Sequence, residues 1–248
     1  MYEESSTGEE ENAGRAARQE ADEAGALTVP PRRAIRRARW AEAVVGASLL
    51  LYIVLAVLAY RFAYFEWDLR IALGIQSIDS PGFRALMVWL SALGNGWVPI
   101  ALVAVTGFAL AGAGFKTEGV ICGAGVASGG LLNMLLKMLS ARPRPSESLV
   151  HIFTSVKHAS FPSGHVVFFV EYFGILFFFA YVLLKRGPLR PLALTTTGAM
   201  ISLIGVSRVY LGAHWPSDVV GAYLAGGIWL MLMIEAYRRM KESGVDGA

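Results

Sequence analysis

The sequence predicts an all-α, polytopic membrane protein, a bundle of six transmembrane helices. Three observations predict it. Of 248 residues, 55% are hydrophobic and only 17% charged, where an ordinary soluble domain carries about 25% charged residues. Mean hydropathy is +0.50. Six segments approach the ~20 mostly apolar residues that a spanning helix needs. The formal net charge of +3 is small, so the pI of 9.1 reflects asymmetry along the chain rather than a nucleic-acid surface. The single cysteine, Cys122, excludes an internal disulfide and a cysteine-built metal site.

The chain opens on residues 1–26, which hold eight acids against Arg15 and Arg18. Such a segment is expected to be disordered and does not resemble a cleavable signal. PPRRAIRRARW then packs five arginines between Arg32 and Arg39. This is the expected flank of a first span on the cytoplasmic side, with a specific anionic-lipid site as the other reading. Residues 1–39 are thus an acidic, then Arg-rich, cytoplasmic tail, residues 40–240 the helical domain, and 241–248 a short cytoplasmic tail. The six spans are expected at about Ala41–Tyr60, Trp97–Ala113, Gly119–Leu139, Gly164–Leu184, Leu192–Val209 and Pro216–Tyr237. Between the first two, IDSPGFRALMVWLSALGNG reads as a short helix ending near Gly94. It either lies in the interface or extends the second span.

With six spans both termini share a side. That side collects fourteen of the 22 Lys and Arg residues, the opposite side eight, which places the termini inside. Odd helices then end outside and even helices begin there. Lys137 ends the third helix, Pro162–His165 open the fourth, Arg208 ends the fifth, and His214–Asp218 open the sixth. All four fall on the same face of the membrane.

Three cations (Lys137, Arg144, Arg208), two imidazoles (His165, His214) and one carboxylate (Asp218) make up that face. Guanidinium groups grip phosphate oxygens in a fork, and an ammonium acts as a point charge. Pro162 and Pro216 suit first helical turns, whose free N–H groups bind anions, and Ser163–Gly164 allow close backbone approach. His214 precedes Asp218 by four residues, so Asp218 can accept from Nδ1 of His214 and leave Nε2 free to attack phosphorus. His165 is left as the acid toward the leaving oxygen and the base toward water. The scheme needs no metal and no cofactor.

KMLSARPRP carries K-x6-R-P, FPSGH carries P-S-G-H, and SRVYLGAHWPSD carries S-R-x5-H-x3-D. Together, in this order, they resemble the type 2 phosphatidic acid phosphatase (PAP2) family of membrane lipid phosphatases. The resemblance covers roughly Trp67 to Glu235. It implies a six-helix bundle and metal-independent hydrolysis of a lipid phosphomonoester or diphosphate through a phosphohistidine. It further implies that Ser163 and the Gly164 backbone contact phosphate. The substrate would be a polyprenyl diphosphate, phosphatidate or phosphatidylglycerol phosphate, taken from the bilayer. Rival readings are a lipid phosphotransferase of the same superfamily, or a non-catalytic protein that binds lipid phosphate. A transporter is disfavoured because polar groups gather at helix ends rather than at mid-membrane.

Other polar residues have plainer readings. Arg142 has no matched role and reads as a solvated loop charge. His151 and His158 read as loop histidines. Glu171 reads as an interior hydrogen-bonding group, or else as a contact to a head group. Asn133 shares a helix face with Lys137 and reads as packing support. Phe177–Phe179 reads as lipid-facing or packing surface. Gly125, Gly129, Gly130, Gly221, Gly226 and Gly227 read as close helix contacts.

Overall fold

A computed structural model describes residues 32–153 and 158–244. The acidic segment 1–26 and the final residues 245–248 lie outside the described residues. The described chain is helical: α1 (Arg32–Arg61), α2 (Glu66–Gln76), α3 (Pro81–Ala92), α4 (Val98–Gly112), α5 (Lys116–Ser140), α6 (Gly164–Leu183), α7 (Leu189–Tyr210) and α8 (Pro216–Glu242). From Ser48 onward the chain is one compact unit, and the unit before it is described only over residues 32–47, the first part of α1.

Five of these helices, α1 and α5–α8, are long and apolar enough to cross a membrane. The expected second span is the exception. α4 has 15 residues, about 22 Å of helix against a hydrocarbon core of ~30 Å. Glycines in the left-handed region bound it on both sides, Gly96 at φ 56° and Gly114 at φ 90°. The count of six spans is therefore not met by length.

The helix boundaries shift for local reasons. α1 begins at Arg32, inside the expected tail, because the Ala/Arg run after Pro31 contains no helix breaker. α2 was not foreseen. Its start is held by Asp68, whose Oδ2 accepts from Phe65 N at 3.1 Å, closing the first turn on itself. α3 has Pro81 at its first position and Ser80 as its cap. Pro216 likewise starts α8. Pro162 does not start α6: the helix begins at Gly164 with Ser163 as its cap residue, so Pro162 stands outside it. α5 widens into a π turn over Ile121–Gly125. Such a turn disturbs the backbone ladder, and Trp229 Nε1 donates to Gly125 O at 2.9 Å, which supplies a partner where lipid offers none.

α6 is the central helix, packed against α5, α7 and α8. Its buried side chains join two core clusters, one with α3 and α7 through Phe169, Met87 and Ile204, the other with α5 and α8 through Ile175, Cys122 and Met233. Glycine lets these helices approach. A side chain at Gly125 would strike Met233, one at Gly129 the Glu171 carboxyl and one at Gly221 the Phe161 ring, and one at Gly226 would press on Val170 at 3.1 Å. Gly130 and Gly227 face open space instead, so no close contact requires them. In the Phe run, Phe177 is exposed and Phe179 is buried against Tyr237.

Gly221 gives a test of this packing. A Cβ there would lie 2.3 Å from the buried Phe161 ring, which would have to shift to admit it. Gly221→Ala is expected to destabilise the bundle by about 1–3 kcal/mol, read as a lower melting temperature in detergent. An unchanged melting temperature would show that Phe161 has room.

Candidate active site

The site forms where α5 and α7 end and α6 and α8 begin. Ala141, in the left-handed region at φ 46°, stops α5 and turns the chain into a loop described over residues 142–153 and 158–163. That loop is pinned by Ser140 Oγ donating to Phe161 O at 2.5 Å and by Ser160 N donating to Arg142 O at 2.9 Å. Lys137, on the last turn of α5, donates through Nζ to Ala159 O at 2.9 Å. Arg144 donates to His158 O and to Ala213 O, each at 2.6 Å, which ties the loop to the turn after α7.

Among the described residues, His214 occupies the centre, 2% exposed. Its Nε2 accepts from Arg144 Nη1 at 3.1 Å. A guanidinium can only donate, so this contact places the lone pair on Nε2 and the proton on Nδ1. Burial, and then the charges of Arg144, Arg208 and Lys137, push His214 well below the usual histidine range. It is a neutral imidazole with a free electron pair at neutral pH. Burial also draws Arg144 below the ordinary guanidinium range, opposed by Asp218.

The link from His214 to Asp218 is looser than the sequence suggests. Nδ1 lies 3.5 Å from Asp218 Oδ2 and equally far from Ser160 Oγ. Ser160 Oγ itself donates to that carboxylate oxygen. Ser160 Oγ therefore lies beside Asp218 Oδ2, and the two oxygens face Nδ1 from the same distance.

Arg208 is 1% exposed, with Nη1 donating to Ser91 Oγ and Nε without a partner. Ser207 Oγ, donating to Met87 O at 2.6 Å, fixes the end of α7 against α3. Ser163 is fully buried, and its Oγ neither caps α6 nor meets any other partner. Gly164 admits close neighbours: a Cβ there would sit 3.1 Å from Asn133 Nδ2 and 3.6 Å from Lys137 Cε. His165 Nε2 pairs with Asn95 Oδ1 at 2.7 Å, and Gly94 leaves room for its ring. The structure thus brings together all eight residues singled out in the sequence: Lys137, Arg144, Ser163, Gly164, His165, Arg208, His214 and Asp218. Among the described residues no three His, Cys, Asp or Glu side chains gather with metal-ligand spacing.

A further reading of the sequence is overturned here. Arg142 is not a solvated loop charge. It is 1% exposed and lies between two fully buried carboxylates, donating through Nη1 to Asp218 Oδ1 at 2.6 Å and through Nη2 to Asp68 Oδ2 at 3.1 Å. Asp68, Ser91 and Asn95 escaped the sequence reading because each reaches the site from a distant segment; Ser160 escaped it although it stands just before the P-S-G-H motif. His151 and His158 are exposed in the loop. Glu171 is buried against Gly129, away from these contacts, with Oε2 unpartnered.

Beside the polar site a groove of about 680 Å3 runs between α4, α5 and α6. Gly94 and Gly164 lie at its active-site end, and Val103, Val126 and Phe168 line its apolar wall.

The PAP2 superfamily model matches residues 118–241, half of the chain. Phosphatidylglycerophosphatase B of Bacillus subtilis is 27% identical over 189 residues, 74% of this chain and 90% of the relative. A decaprenylphosphoryl-5-phosphoribose phosphatase of Mycobacterium tuberculosis is 28% identical over 168 residues, 65% of this chain and 86% of that one. Among solved structures, a transmembrane PAP2-type phosphatidylglycerolphosphate phosphatase from Bacillus subtilis superposes with a TM-score of 0.67 at 24% identity, covering 79% of this chain and 96% of its own. Aquifex aeolicus LpxE superposes with a TM-score of 0.52 at 24% identity, covering 69% and 96%. At that identity the structures speak for the fold alone. The family match and the sequence relatives speak for more: the chain belongs to the PAP2 superfamily and is an integral membrane phosphatase of that family.

Proposed function

We propose that the protein hydrolyses a phosphomonoester or diphosphate of a membrane lipid through a phosphohistidine on His214, without a metal. The observation that carries this reading is the environment of His214 Nε2. A lone pair is held by Arg144 among three cations, in a site whose residues include two buried donors with nothing to donate to, Ser163 Oγ and Arg208 Nε. Phosphate supplies acceptors for all of them, and their charges oppose the charge that develops in its transition state.

In this scheme the phosphate displaces the Arg144 N–H from Nε2 onto one of its own oxygens. Nε2 attacks phosphorus, and the P–N bond forms as the P–O bond to the lipid breaks. His165 protonates the departing oxygen. It then takes a proton from water, whose oxygen attacks phosphorus, breaking the P–N bond and releasing phosphate. Ser160 and Asp218 receive the Nδ1 proton contact and keep the ring aimed.

The groove supports a lipid substrate. Its apolar wall suits hydrocarbon, and it meets the polar site at Gly164. The substrates named for the relatives support a glycerolipid phosphate or a polyprenyl phosphate. The catalytic domain is residues 40–240, with α4 as a short sixth crossing in the cell membrane. The distribution of Lys and Arg supports cytoplasmic termini and a site open to the outer face. The test is phosphate release by purified protein in detergent with chelator present. The panel holds a polyprenyl diphosphate, phosphatidate, phosphatidylglycerol phosphate and a soluble phosphomonoester. Chelator-resistant release from a lipid is expected; release from none of them by folded protein would overturn the reading.

A further inference from the structure

We propose that Arg142 and Asp68 form a buried charge clamp that decides which oxygen of Asp218 faces His214, so that both are positioning residues for the phosphoryl-transfer step. The inference rests on the reading of His214 as the nucleophile.

Arg142 spends its donors inside the protein. Nε donates to Phe62 O at 3.3 Å and Ala63 O at 3.2 Å, Nη1 to Ser217 Oγ at 2.7 Å and Asp218 Oδ1 at 2.6 Å, and Nη2 to Asp68 Oδ2 at 3.1 Å. The guanidinium lies over the Phe65 ring, 5.1 Å from its centroid. Arg208, by contrast, keeps a free Nε, and Arg144 reaches His214 itself. Arg142 thus has the chemistry of a phosphate binder but faces away from that work.

Its position explains the geometry of Asp218. Oδ1 is taken by Arg142, and Oδ2 receives Trp215 N at 2.9 Å and Ser160 Oγ. With Oδ1 turned to Arg142, Oδ2 is the oxygen that lies toward His214 Nδ1, at 3.5 Å. Asp68 completes the clamp. Its Oδ1 accepts from Ser217 N at 2.8 Å and its Oδ2 from Ser217 Oγ at 2.7 Å, at the start of α8 where an anion is favoured. The two carboxylates are tolerable together only because a cation lies between them. Without Arg142 they would face each other as uncompensated buried charges. Asp218 would then turn or be neutralised, and the hold on His214 would go with it. Asp68 lies outside the family-matched residues 118–241, so α2 contributes to the site from beyond them.

Inorganic phosphate and orthovanadate separate this role from anion binding. Phosphate needs the cations. Vanadate, as a five-coordinate mimic of the transition state, also needs an aimed His214 Nε2. Binding of each would be measured on purified wild type, Arg142→Gln, Arg142→Lys, Arg142→Gln with Asp68→Asn, and His214→Ala. Arg142→Gln is expected to lower vanadate affinity about tenfold or more while phosphate affinity stays within about threefold. Arg142→Lys should keep part of the vanadate affinity, and adding Asp68→Asn to Arg142→Gln should restore some by removing the unpaired charge. Should Arg142→Gln not fold, the lysine variant and the double variant carry the comparison. Equal losses of phosphate and vanadate, unchanged vanadate binding, or no recovery in the double variant would overturn the clamp. A vanadate preference that survives His214→Ala would instead overturn the nucleophile.

Discussion

His214→Ala is expected to abolish phosphate release, by about 10^4-fold or more, since it removes the atom that takes the phosphoryl group. Lipid binding should persist, because Lys137, Arg144 and Arg208 and the apolar groove remain. The expected result is thus a fall in turnover at nearly unchanged affinity, measured by phosphate release and by binding of the lipid to the variant. Turnover above about a hundredth of wild type would mean that phosphorus is attacked by something other than this imidazole.

Arg144→Ala has the second largest expected effect, and it should show itself in two ways. Arg144 is the cation in contact with Nε2, so its loss should raise KM by about tenfold or more through the missing charged contact. It is also, after burial, the leading influence that holds His214 below the ordinary histidine range. Removing a cation favours the protonated imidazole, so the His214 pKa should rise back toward its usual value of about 6.5. Protonated His214 has no electron pair to attack with. The acid limb of kcat/KM should therefore move to higher pH in the variant, and the ratio of wild-type to variant activity should be larger near pH 5.5 than near pH 8. A ratio flat across that range would show that Arg144 binds phosphate without tuning the histidine.

Much of the site was legible because its signals are local. PSGH and SRVYLGAHWPSD each place reactive groups at a helix end within a dozen residues, and strings of apolar residues reveal the ends. The approach of His214 to Asp218 follows from their spacing across a turn that enters α8, although at 3.5 Å it is looser than that spacing suggests. Arg142 shows where that reasoning stops. In sequence it differs in no chemical respect from its neighbour Arg144, yet one side chain faces the site and the other is sealed between carboxylates. Ser160 was equally silent, since a serine in a loop gains its meaning only from the 58 residues that separate it from Asp218.

Composition and short motifs were enough for the membrane class, the long helices α1 and α5–α8, and the grouping of His214 with seven other residues. Hydrophobicity and helix-end chemistry are properties of short segments, and they survive without tertiary context. Tertiary structure alone decided that α4 is too short to count as a full span by length, that Pro162 stands outside α6, and that Asp68 belongs to the site. It also decided the fate of Arg142, whose partner Asp68 lies 74 residues away. A buried ion pair exists only once packing has excluded water around both charges, and no local pattern in either segment can announce a partner that folding supplies.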